Sequence, residues 1–374
     1  MTSITCGNCR ASPPRSTSEV RPVVKVSVGF GAGRGGWDDA VSWVLEAEKL
    51  GVDSVWASEA WGFDAVTPLA YLAGQAKKVR LGTGIMQAGS RTPAAVAMTS
   101  LTMQSLSGGR FILGLGNSGP QVMEGWHGIP FDRPLQRLRE LVDIVRLAAS
   151  GERVNYDGKV YTLPRAGGEG RALRTSAPAA NVPIFLATLG PRSLEVTGEI
   201  ADGWIASSFM PDHADVFFDP IRRGAEGAGR SFEDIERHGG GVVAFGDDLD
   251  RLIAPRRSGF AFEIGAMGSK EHNFYKDAYA RQGYSELTDR VQSLWLDRKR
   301  DEAAALIPDE FVLKANLLGT DAMVRERIRV YRDAGVTTIS ASPAGDTLAE
   351  RIETLGRFME LVNEVNRESA ARTS

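Results

Sequence analysis

The stretch ATLGPR, residues 187–192, has the composition of a turn that binds an anion. It follows the apolar segment 183–187 and leads into a predicted helix, so unpaired backbone amides would face a ligand at the start of that helix. Gly190 would let the ligand approach the backbone closely, and Arg192 would either add charge or face solvent. These residues indicate a phosphate site, although an ordinary helix cap is the simpler interpretation of the same residues.

A carboxylate beside an aromatic side chain, Glu59 with Trp61, follows the second apolar segment at 52–58. A buried carboxylate at such a position can have a raised pKa and take part in proton transfer. The alternative is a structural glutamate that caps the next turn. Trp126 and His127, in the stretch EGWHGIPFDRP, either line the mouth of the same site or pack within their own loop.

Glycine patterns typical of dinucleotide-binding turns occur twice, at 31–36 and 114–119, in a chain that has 42 glycines. At this glycine content chance alone gives about 0.5 matches, so the pattern is weak evidence. The fingerprint also requires an acidic residue at the end of the next strand. Asp53 instead lies at the start of that strand, and Asp132 lies in a loop. The glycines therefore favour tight strand-to-helix turns over a nicotinamide-dependent Rossmann enzyme.

Composition disfavours several classes of protein. The net charge of −3 gives no global field that would attract nucleic acid or an anionic membrane. No run reaches the roughly 18 apolar residues of a membrane-spanning helix. The GxSxG, HExxH and GxxxxGK[ST] patterns are absent and the four histidines are scattered, so we expect neither a hydrolase site nor a metal site.

Residues 1–22 are rich in Ser, Thr, Pro and Arg and lack apolar periodicity, which predicts a disordered N-terminal tail. Cys6 and Cys9 lie in this tail as a lone CxxC, which is either a redox pair or half of a zinc site. The tail also lacks the apolar core of a secretory signal. We therefore expect the protein to be cytoplasmic.

Eight predicted strands alternate with helices, which is the pattern of a (β/α)8 TIM barrel. No composition break divides residues 23–374, so they are expected to form a single α/β domain, with insertions after strands 4 and 7. The second insertion is predicted to hold several helices, including one over 284–306. The predicted strands are 23–29, 52–58, 79–85, 111–115, 183–187, 203–207, 241–245 and 336–340.

In such a barrel the chemistry takes place at the C-terminal ends of the strands. This rule selects a short set of candidate residues from the whole chain. They are Phe30, Glu59 to Trp61, Gly84 to Gln87, Asn117 to Gly119, Thr188 to Arg192 and Ser207 to Phe209.

The order of these motifs resembles the luciferase-like monooxygenase superfamily, which has flavin-dependent and F420-dependent branches. The resemblance covers about 23–365. The stretch VRLGTGIMQAGSRTPAAVAMTSLTMQSLSGGRFILGLGNSG is similar to the region from strand three to strand four in F420 enzymes such as methylenetetrahydromethanopterin reductase and F420-dependent glucose-6-phosphate dehydrogenase. VPIFLATLGPRSLEVTGEIADGW is similar to their phosphate-contacting loop, and AMGSKEHNFYKDAYARQGYSE looks like a segment of actinobacterial F420-dependent oxidoreductases.

The resemblance implies that the cofactor is F420, with FMN as the alternative. Gly84 and Ile85 match a cis peptide bond that bulges against the deazaflavin ring. The other implied cofactor contacts are Met86 and Gln87 beside the ring, Asn117, Ser118 and Gly119 at the ring or ribityl chain, and Thr188, Leu189, Gly190 and Pro191 at the phosphate.

The expected substrate is a small organic molecule, and a homodimer is usual for the family. Glu59 is the expected catalytic residue, and the expected substrate contacts are Phe30, Trp61, Trp126 and His127. Sugar and alcohol dehydrogenases of this branch carry an Asp or His pair at the end of strand two, where this chain has Glu59-Ala60-Trp61. The missing histidine favours a reductase over an alcohol dehydrogenase. An FMN-dependent monooxygenase that uses O2 is the main alternative, and a barrel that only binds a small ligand is another.

Overall fold

Eight parallel strands close into a barrel in the computed structural model, which describes residues 23–33, 35–267 and 273–371. The predicted tail at 1–22, with Cys6 and Cys9, lies outside the described residues. So does part of the quoted segment AMGSKEHNFYKDAYARQGYSE, at 268–272.

Twelve strands are described, of which eight form the barrel. The barrel order is β1–β2–β3–β5–β8–β9–β10–β12, and β12 pairs again with β1. The strands are β1 (Lys25–Gly29), β2 (Ser54–Ala57), β3 (Arg80–Thr83), β4 (Met86–Gln87), β5 (Phe111–Gly116), β6 (Tyr156–Asp157), β7 (Thr162–Leu163), β8 (Ile184–Ala187), β9 (Gly203–Ile205), β10 (Glu236–Phe245), β11 (Leu317–Gly319) and β12 (Thr338–Pro343).

Helices follow the barrel strands and pack around them. Among the residues that the structure describes, no helix is both long and apolar enough to cross a membrane. The helices are α1 (Gly36–Lys49), α2 (Val66–Ala73), α3 (Pro93–Ser107), α4 (Pro120–Met123), α5 (Pro134–Ala149), α6 (Pro191–Ile200), α7 (Asp215–Gly227), α8 (Leu249–Ala266), α9 (Phe274–Tyr279), α10 (Ser285–Leu296), α11 (Arg300–Ala305), α12 (Asp309–Lys314), α13 (Asp321–Ala334) and α14 (Leu348–Ala371).

The predicted (β/α)8 TIM barrel is confirmed, because the pairing of β9 with β10 completes a closed ring of parallel strands. A Rossmann domain would instead have an open sheet with two edges. The insertions also follow the fourth and seventh barrel strands, β5 and β10, as predicted.

Local sequence signals determine where the helices begin and end. The Thr92 hydroxyl accepts a hydrogen bond from the Ala95 amide at the start of α3, and Pro93 occupies the first turn. Gly335 ends α13 with a φ of 98°, a left-handed conformation that glycine adopts without steric cost. Thr92 and Gly335 therefore mark real element boundaries that can be recognised in the sequence.

Aromatic side chains and an imidazole fill part of the barrel interior. Trp56 lies 5.6 Å from Phe185 and 5.3 Å from His238, measured between ring centroids. Small residues on neighbouring strands make room for these rings. A Cβ atom on Gly82 would lie 2.4 Å from the Trp56 ring, and one on Gly203 would lie 2.5 Å from the Phe185 ring. These two glycines are therefore explained by packing of the core.

An ion cluster lies at the opposite end of the barrel from the strand C-termini. Arg80 donates to Asp53 at 2.5 Å and to Glu236 at 2.7 Å, and Lys25 lies 3.6 Å from Asp53. Burial alone would raise the pKa of Glu236. The side chains of His238 and Arg80 outweigh that effect and hold the pKa well below its usual range. Burial also lowers the pKa of His238.

We expect Glu236→Gln to lower the free energy of unfolding at pH 7 by about 1–3 kcal/mol. A depressed carboxyl pKa contributes stability above the unfolded-state pKa of about 4.5, and this contribution is lost as the pH falls further. The difference between wild type and variant should therefore shrink in acid. Urea unfolding at pH 7 and pH 3.5 measures it, and a difference that does not change with pH would contradict this explanation.

Several predicted boundaries are wrong, and the largest errors concern one strand and one helix. The seventh barrel strand begins at Glu236, not at 241, because the run Gly239–Gly241 lies within the strand. The glycines reflect close approach of other backbone: a Cβ on Gly240 would lie 2.2 Å from the Ser340 carbonyl oxygen. The predicted helix over 284–306 is split into α10 and α11, with Arg298 between them at a φ of 64°.

Four short strands have no counterpart in the predicted set. β6 and β7 form an antiparallel pair in the first insertion. β11 pairs with the end of β10, and β4 pairs with β5. The third barrel strand ends at Thr83, so residues predicted to extend it to 85 belong to the loop at the rim.

Candidate functional site

The candidate residues lie on one rim, because the C-terminal ends of parallel barrel strands all point the same way. Each candidate set follows a different strand. Phe30 follows β1, Glu59 follows β2, Gly84 to Gln87 follow β3, Asn117 to Gly119 follow β5, Thr188 to Pro191 follow β8, and Ser208 follows β9.

The segment after β3 lies at the top of the barrel interior. The peptide bond between Gly84 and Ile85 is cis, as the family resemblance implied. A Cβ atom on Gly84 would lie 3.1 Å from the Trp56 Cβ, so this glycine faces inwards above the Trp56 ring. Ile85 packs against Gly116, where a Cβ would lie 3.0 Å from the Ile85 side chain. Gly84 and Ile85 are both half-buried, so this stretch of backbone is partly exposed at the rim.

Glu59 is held in a nearly buried ion pair. Its side chain is only 8% exposed, and its two carboxylate oxygens accept hydrogen bonds from Arg91 at 2.7 and 2.8 Å. They also accept from the backbone amides of Ala65 at 3.1 Å and Gln87 at 3.4 Å. The hydrogen bond with Glu59 raises the pKa of Arg91, against the effect of burial. This geometry ties the end of β2 to the loop after β4, and the catalytic role of Glu59 stays a prediction.

We expect Arg91→Met to lower the free energy of unfolding by about 2–4 kcal/mol, because it leaves the nearly buried Glu59 carboxylate without its cation. The double variant with Glu59→Gln removes both charges and should lose less than the sum of the two single variants. Chemical denaturation of the four proteins measures this coupling. Strictly additive losses would show that the pair contributes no interaction of its own.

Gln87 connects the predicted substrate contacts to the predicted ring contacts. Its side-chain oxygen lies 2.6 Å from His127 Nε2 and, as an amide oxygen, accepts this hydrogen bond from the Nε2–H group. Its amide nitrogen donates to the Ala60 carbonyl oxygen at 2.9 Å. Gln87 is buried, whereas Trp61 and Trp126 are 61% and 65% exposed. The structure therefore brings His127 to the site, while the two tryptophans remain at its outer rim.

The predicted phosphate loop is the start of α6. Gly190 is the N-cap residue, Pro191 occupies the first turn, and Arg192 is exposed. The Thr188 side chain points into the protein, since its hydroxyl lies 2.7 Å from that of Thr197. The Thr188 carbonyl oxygen accepts from Trp204. The backbone amides at the start of the helix, not the Thr188 side chain, are the groups that can meet an anion.

Arg281 is a residue that the sequence analysis did not select. One of its terminal nitrogens donates to the Leu189 carbonyl oxygen at 2.6 Å. Its Nε is buried, with no hydrogen-bond partner among the described residues. Burial lowers the pKa of Arg281, while the charge of Asp277 opposes that effect. A half-buried cation beside an open helix start has the chemistry of an anion site. Arg281 belongs to the segment AMGSKEHNFYKDAYARQGYSE, but nothing in the sequence placed it beside that loop, which lies more than 80 residues away in the chain.

Asn117 carries a second unsatisfied polar atom on the rim. Its side-chain oxygen is buried, and none of the described residues hydrogen-bonds to it. The next residue, Ser118, has a φ of 58°, an uncommon conformation for a residue other than glycine. Over the described ranges no group of three or more His, Cys, Asp or Glu side chains is arranged to hold a metal ion.

Comparison with known proteins identifies relatives that span most of the chain. A protein of Mycobacterium tuberculosis, provisionally named a coenzyme F420-dependent oxidoreductase, is 43% identical over 303 residues, which are 79% of this chain and 87% of the relative. The coenzyme F420-dependent tetrahydromethanopterin reductase of Methanopyrus kandleri superposes with a TM-score of 0.74 at 22% identity. That alignment covers 89% of this chain and 97% of the reductase.

A flavin enzyme shares the same fold. The oxygenating constituent of 3,6-diketocamphane monooxygenase from Pseudomonas putida, solved in complex with FMN, has a TM-score of 0.64 at 18% identity, over 91% of this chain and 98% of that one. The family model for luciferase-like monooxygenases matches residues 21–338. The match covers all but the closing part of the barrel, and the chain belongs to the luciferase-like monooxygenase family.

Proposed function

We propose that this protein is an F420-dependent oxidoreductase that transfers hydride between the deazaflavin F420 and a small organic substrate. The observation that carries the proposal is the combination of two features on one rim: the half-buried backbone of Gly84 and Ile85 above the Trp56 ring, and the start of α6, which no side chain caps. A flat ring with a phosphate-bearing chain matches these two features. The 43% identity to a relative named for F420 supports the same cofactor.

The residues that would hold the cofactor divide into three groups by chemistry. When bound, F420 exchanges a hydride with the substrate, and the protein supplies orientation and electrostatics. The ring would be bordered by Gly84, Ile85, Met86 and Gln87. The ring or the ribityl chain would be contacted by Asn117, Ser118 and Gly119. The phosphate would be held by Leu189, Gly190 and Pro191, together with Arg281.

We place the substrate between the ring site and the aromatic rim. Phe30 is buried beside Trp37, with ring centroids 5.8 Å apart, and Trp37 contacts Phe63 in the same way at 5.2 Å. Trp61, Trp126 and His127 complete this side of the mouth in the proposal. Such a lining suits a small, largely apolar substrate with a few polar groups.

We favour reduction of the substrate over alcohol oxidation. Oxidising an alcohol requires a base that accepts the hydroxyl proton. The carboxylate of Glu59, after the end of β2, is already paired with Arg91. Glu59 is therefore not a free base for this proton.

An FMN-dependent monooxygenase that uses O2 is the second candidate, because the FMN-bound structure from Pseudomonas putida has the same fold. Purification of the full chain from an F420-producing host separates the two. We expect F420 fluorescence in the extract of the denatured protein, in near-equimolar amount. Bound FMN without F420 would favour the second candidate and contradict the proposal.

A further inference from the structure

The second insertion contacts the rim of the barrel at the ends of two strands. Arg281 reaches the loop after β8, as described above, and the next residue, Gln282, reaches the loop after β9. The Gln282 side chain is buried, donates to the Ser208 carbonyl oxygen at 2.7 Å and accepts from the Met210 amide at 2.9 Å. The insertion is therefore part of the wall of the site.

A carboxyl group of this insertion contacts the same loop. Glu263, near the end of α8, accepts a hydrogen bond from the Ser208 hydroxyl at 2.5 Å and from the Tyr279 hydroxyl at 3.3 Å. Ser208 lies three residues after the end of β9 and has a φ of 51°, an uncommon conformation for a residue other than glycine. The carboxyl group is thus fixed at the rim by two hydroxyl groups from two different elements.

The surroundings of Glu263 favour the neutral acid. Burial raises the pKa of Glu263, and the hydrogen bonds from Ser208 and Tyr279 oppose that effect only in part. The titratable groups that face it are Tyr275 and Tyr279, whose own pKa values are raised by burial and by the charge of Glu263. Within the described ranges, no cation is paired with this carboxyl group.

Glu263 differs in this respect from the other carboxyl groups whose pKa values depart from normal. Those of Glu48, Asp64, Glu140, Asp212, Glu236 and Glu350 are all lowered. Glu140, for example, accepts hydrogen bonds from three successive backbone amides at 159–161 and is a structural carboxylate. In the described part of the chain, Glu263 is the carboxyl group with the opposite shift, and it lies at the rim.

We propose that Glu263 is the proton donor of the reduction, presented to the acceptor by Ser208 at the end of the sixth barrel strand. This inference rests on the proposed function, since it supplies the proton that hydride transfer alone does not. The acceptor is a molecule with a polarised double bond, such as an enone, an imine or a quinone. No residue at the end of β2 is needed for this proton.

The step balances in atoms and electrons. Reduction of a polarised C=X bond adds a hydride to one end, with its electron pair drawn from the reduced deazaflavin, and a proton to the other end. The O–H bond of Glu263 breaks, its electron pair stays on the carboxylate, and the proton forms the new X–H bond or, for an enone, the new C–H bond at the α carbon of the saturated ketone. Solvent water then reprotonates the carboxylate. Tyr279 and Ser208 stabilise the carboxylate between these events by their hydrogen bonds.

Infrared spectroscopy of the free protein tests the protonation state without a cofactor. We expect a carbonyl stretching band of a protonated carboxylic acid at pH 7 that shifts in D2O and is missing in Glu263→Gln. The matched control is Asp250→Asn, an exposed carboxyl group on the same helix, which should leave the band unchanged. A spectrum of Glu263→Gln identical to that of wild type would show that Glu263 is ionised and would overturn the proposal.

Turnover of F420H2 with cyclohex-2-enone, 1-pyrroline and menadione tests the role in the reaction. For each acceptor that wild type reduces, we expect Glu263→Gln to lower kcat about 100-fold while the Kd for F420 changes less than twofold. Tyr279→Phe should move the alkaline fall of kcat to higher pH, because the Tyr279 hydroxyl lowers the pKa of Glu263. Unchanged kcat in Glu263→Gln would overturn the proposal. Failure of wild type to bind F420 would instead refute the proposed function, and the infrared band would still decide the state of Glu263.

Discussion

Gly84→Val is expected to weaken F420 binding about 100-fold while the barrel stays folded. A Cβ atom at this position would lie 3.1 Å from the Trp56 Cβ and 3.4 Å from its ring, so the first methyl carbon already makes a tight contact. The two further methyl groups need more room than the Trp56 side chain leaves, so we expect a shift of the backbone that is proposed to border the deazaflavin ring. Overpacking of this kind costs about 1–3 kcal/mol, and its upper end corresponds to the expected loss of affinity.

The matched control is Gly227→Val at the end of α7, where a Cβ would meet no atom within 4 Å. We expect this variant to bind F420 like wild type. Fluorescence titration gives the affinity of each protein, and circular dichroism during thermal unfolding reports on the fold. Wild-type affinity in a folded Gly84→Val protein would mean that the ring binds elsewhere.

Arg281→Met should weaken F420 binding about 10–100-fold, because a charge-assisted hydrogen bond to phosphate contributes about 1.5–3 kcal/mol. The same substitution should leave the affinity for the phosphate-free deazaflavin unchanged. The reason is that Arg281 lies at the Leu189 loop and not at the Gly84 surface. The dependence of F420 affinity on salt should also become weaker, since one cation no longer contributes.

Arg192→Met provides the comparison for Arg281, since Arg192 is exposed at the same helix start. We expect its effect on F420 affinity to stay within about twofold, as is usual for solvent-screened charges. Two results would contradict the role of Arg281. One is unchanged F420 affinity in Arg281→Met, and the other is an equal loss for F420 and for the phosphate-free deazaflavin.

The features that the sequence predicted well are those in which local pattern and global fold agree. Apolar strands that alternate with helices ending at glycine predict the barrel. The C-terminal ends of those strands then predict which rim carries the site. The glycine runs were harder to interpret. Gly82, Gly203 and Gly240 each lack a side chain because a ring or a backbone oxygen occupies the space, and this information exists only once neighbouring strands are paired.

The contacts that connect distant segments could not be predicted from the sequence. Glu59 is paired with Arg91 across a strand and a loop, so its availability for chemistry depends on a partner 32 residues away. Arg281 and Glu263 reach the rim from an insertion whose path over the barrel has no periodic signal. The chemistry of Arg281 follows from its burial and its unpaired Nε, and that of Glu263 from its burial beside two neutral hydroxyl groups. These are properties of the folded chain.

The most direct test of the central claim is a titration of the full chain with F420 and, in parallel, with FMN, followed by tryptophan fluorescence. Trp56 lies directly beneath the proposed ring site, so bound F420 should quench the emission. We predict saturable quenching by F420 with a micromolar Kd or tighter, and no saturable quenching by FMN over the same range. Saturable quenching by FMN with none by F420 would contradict the assignment of this protein as an F420-dependent oxidoreductase.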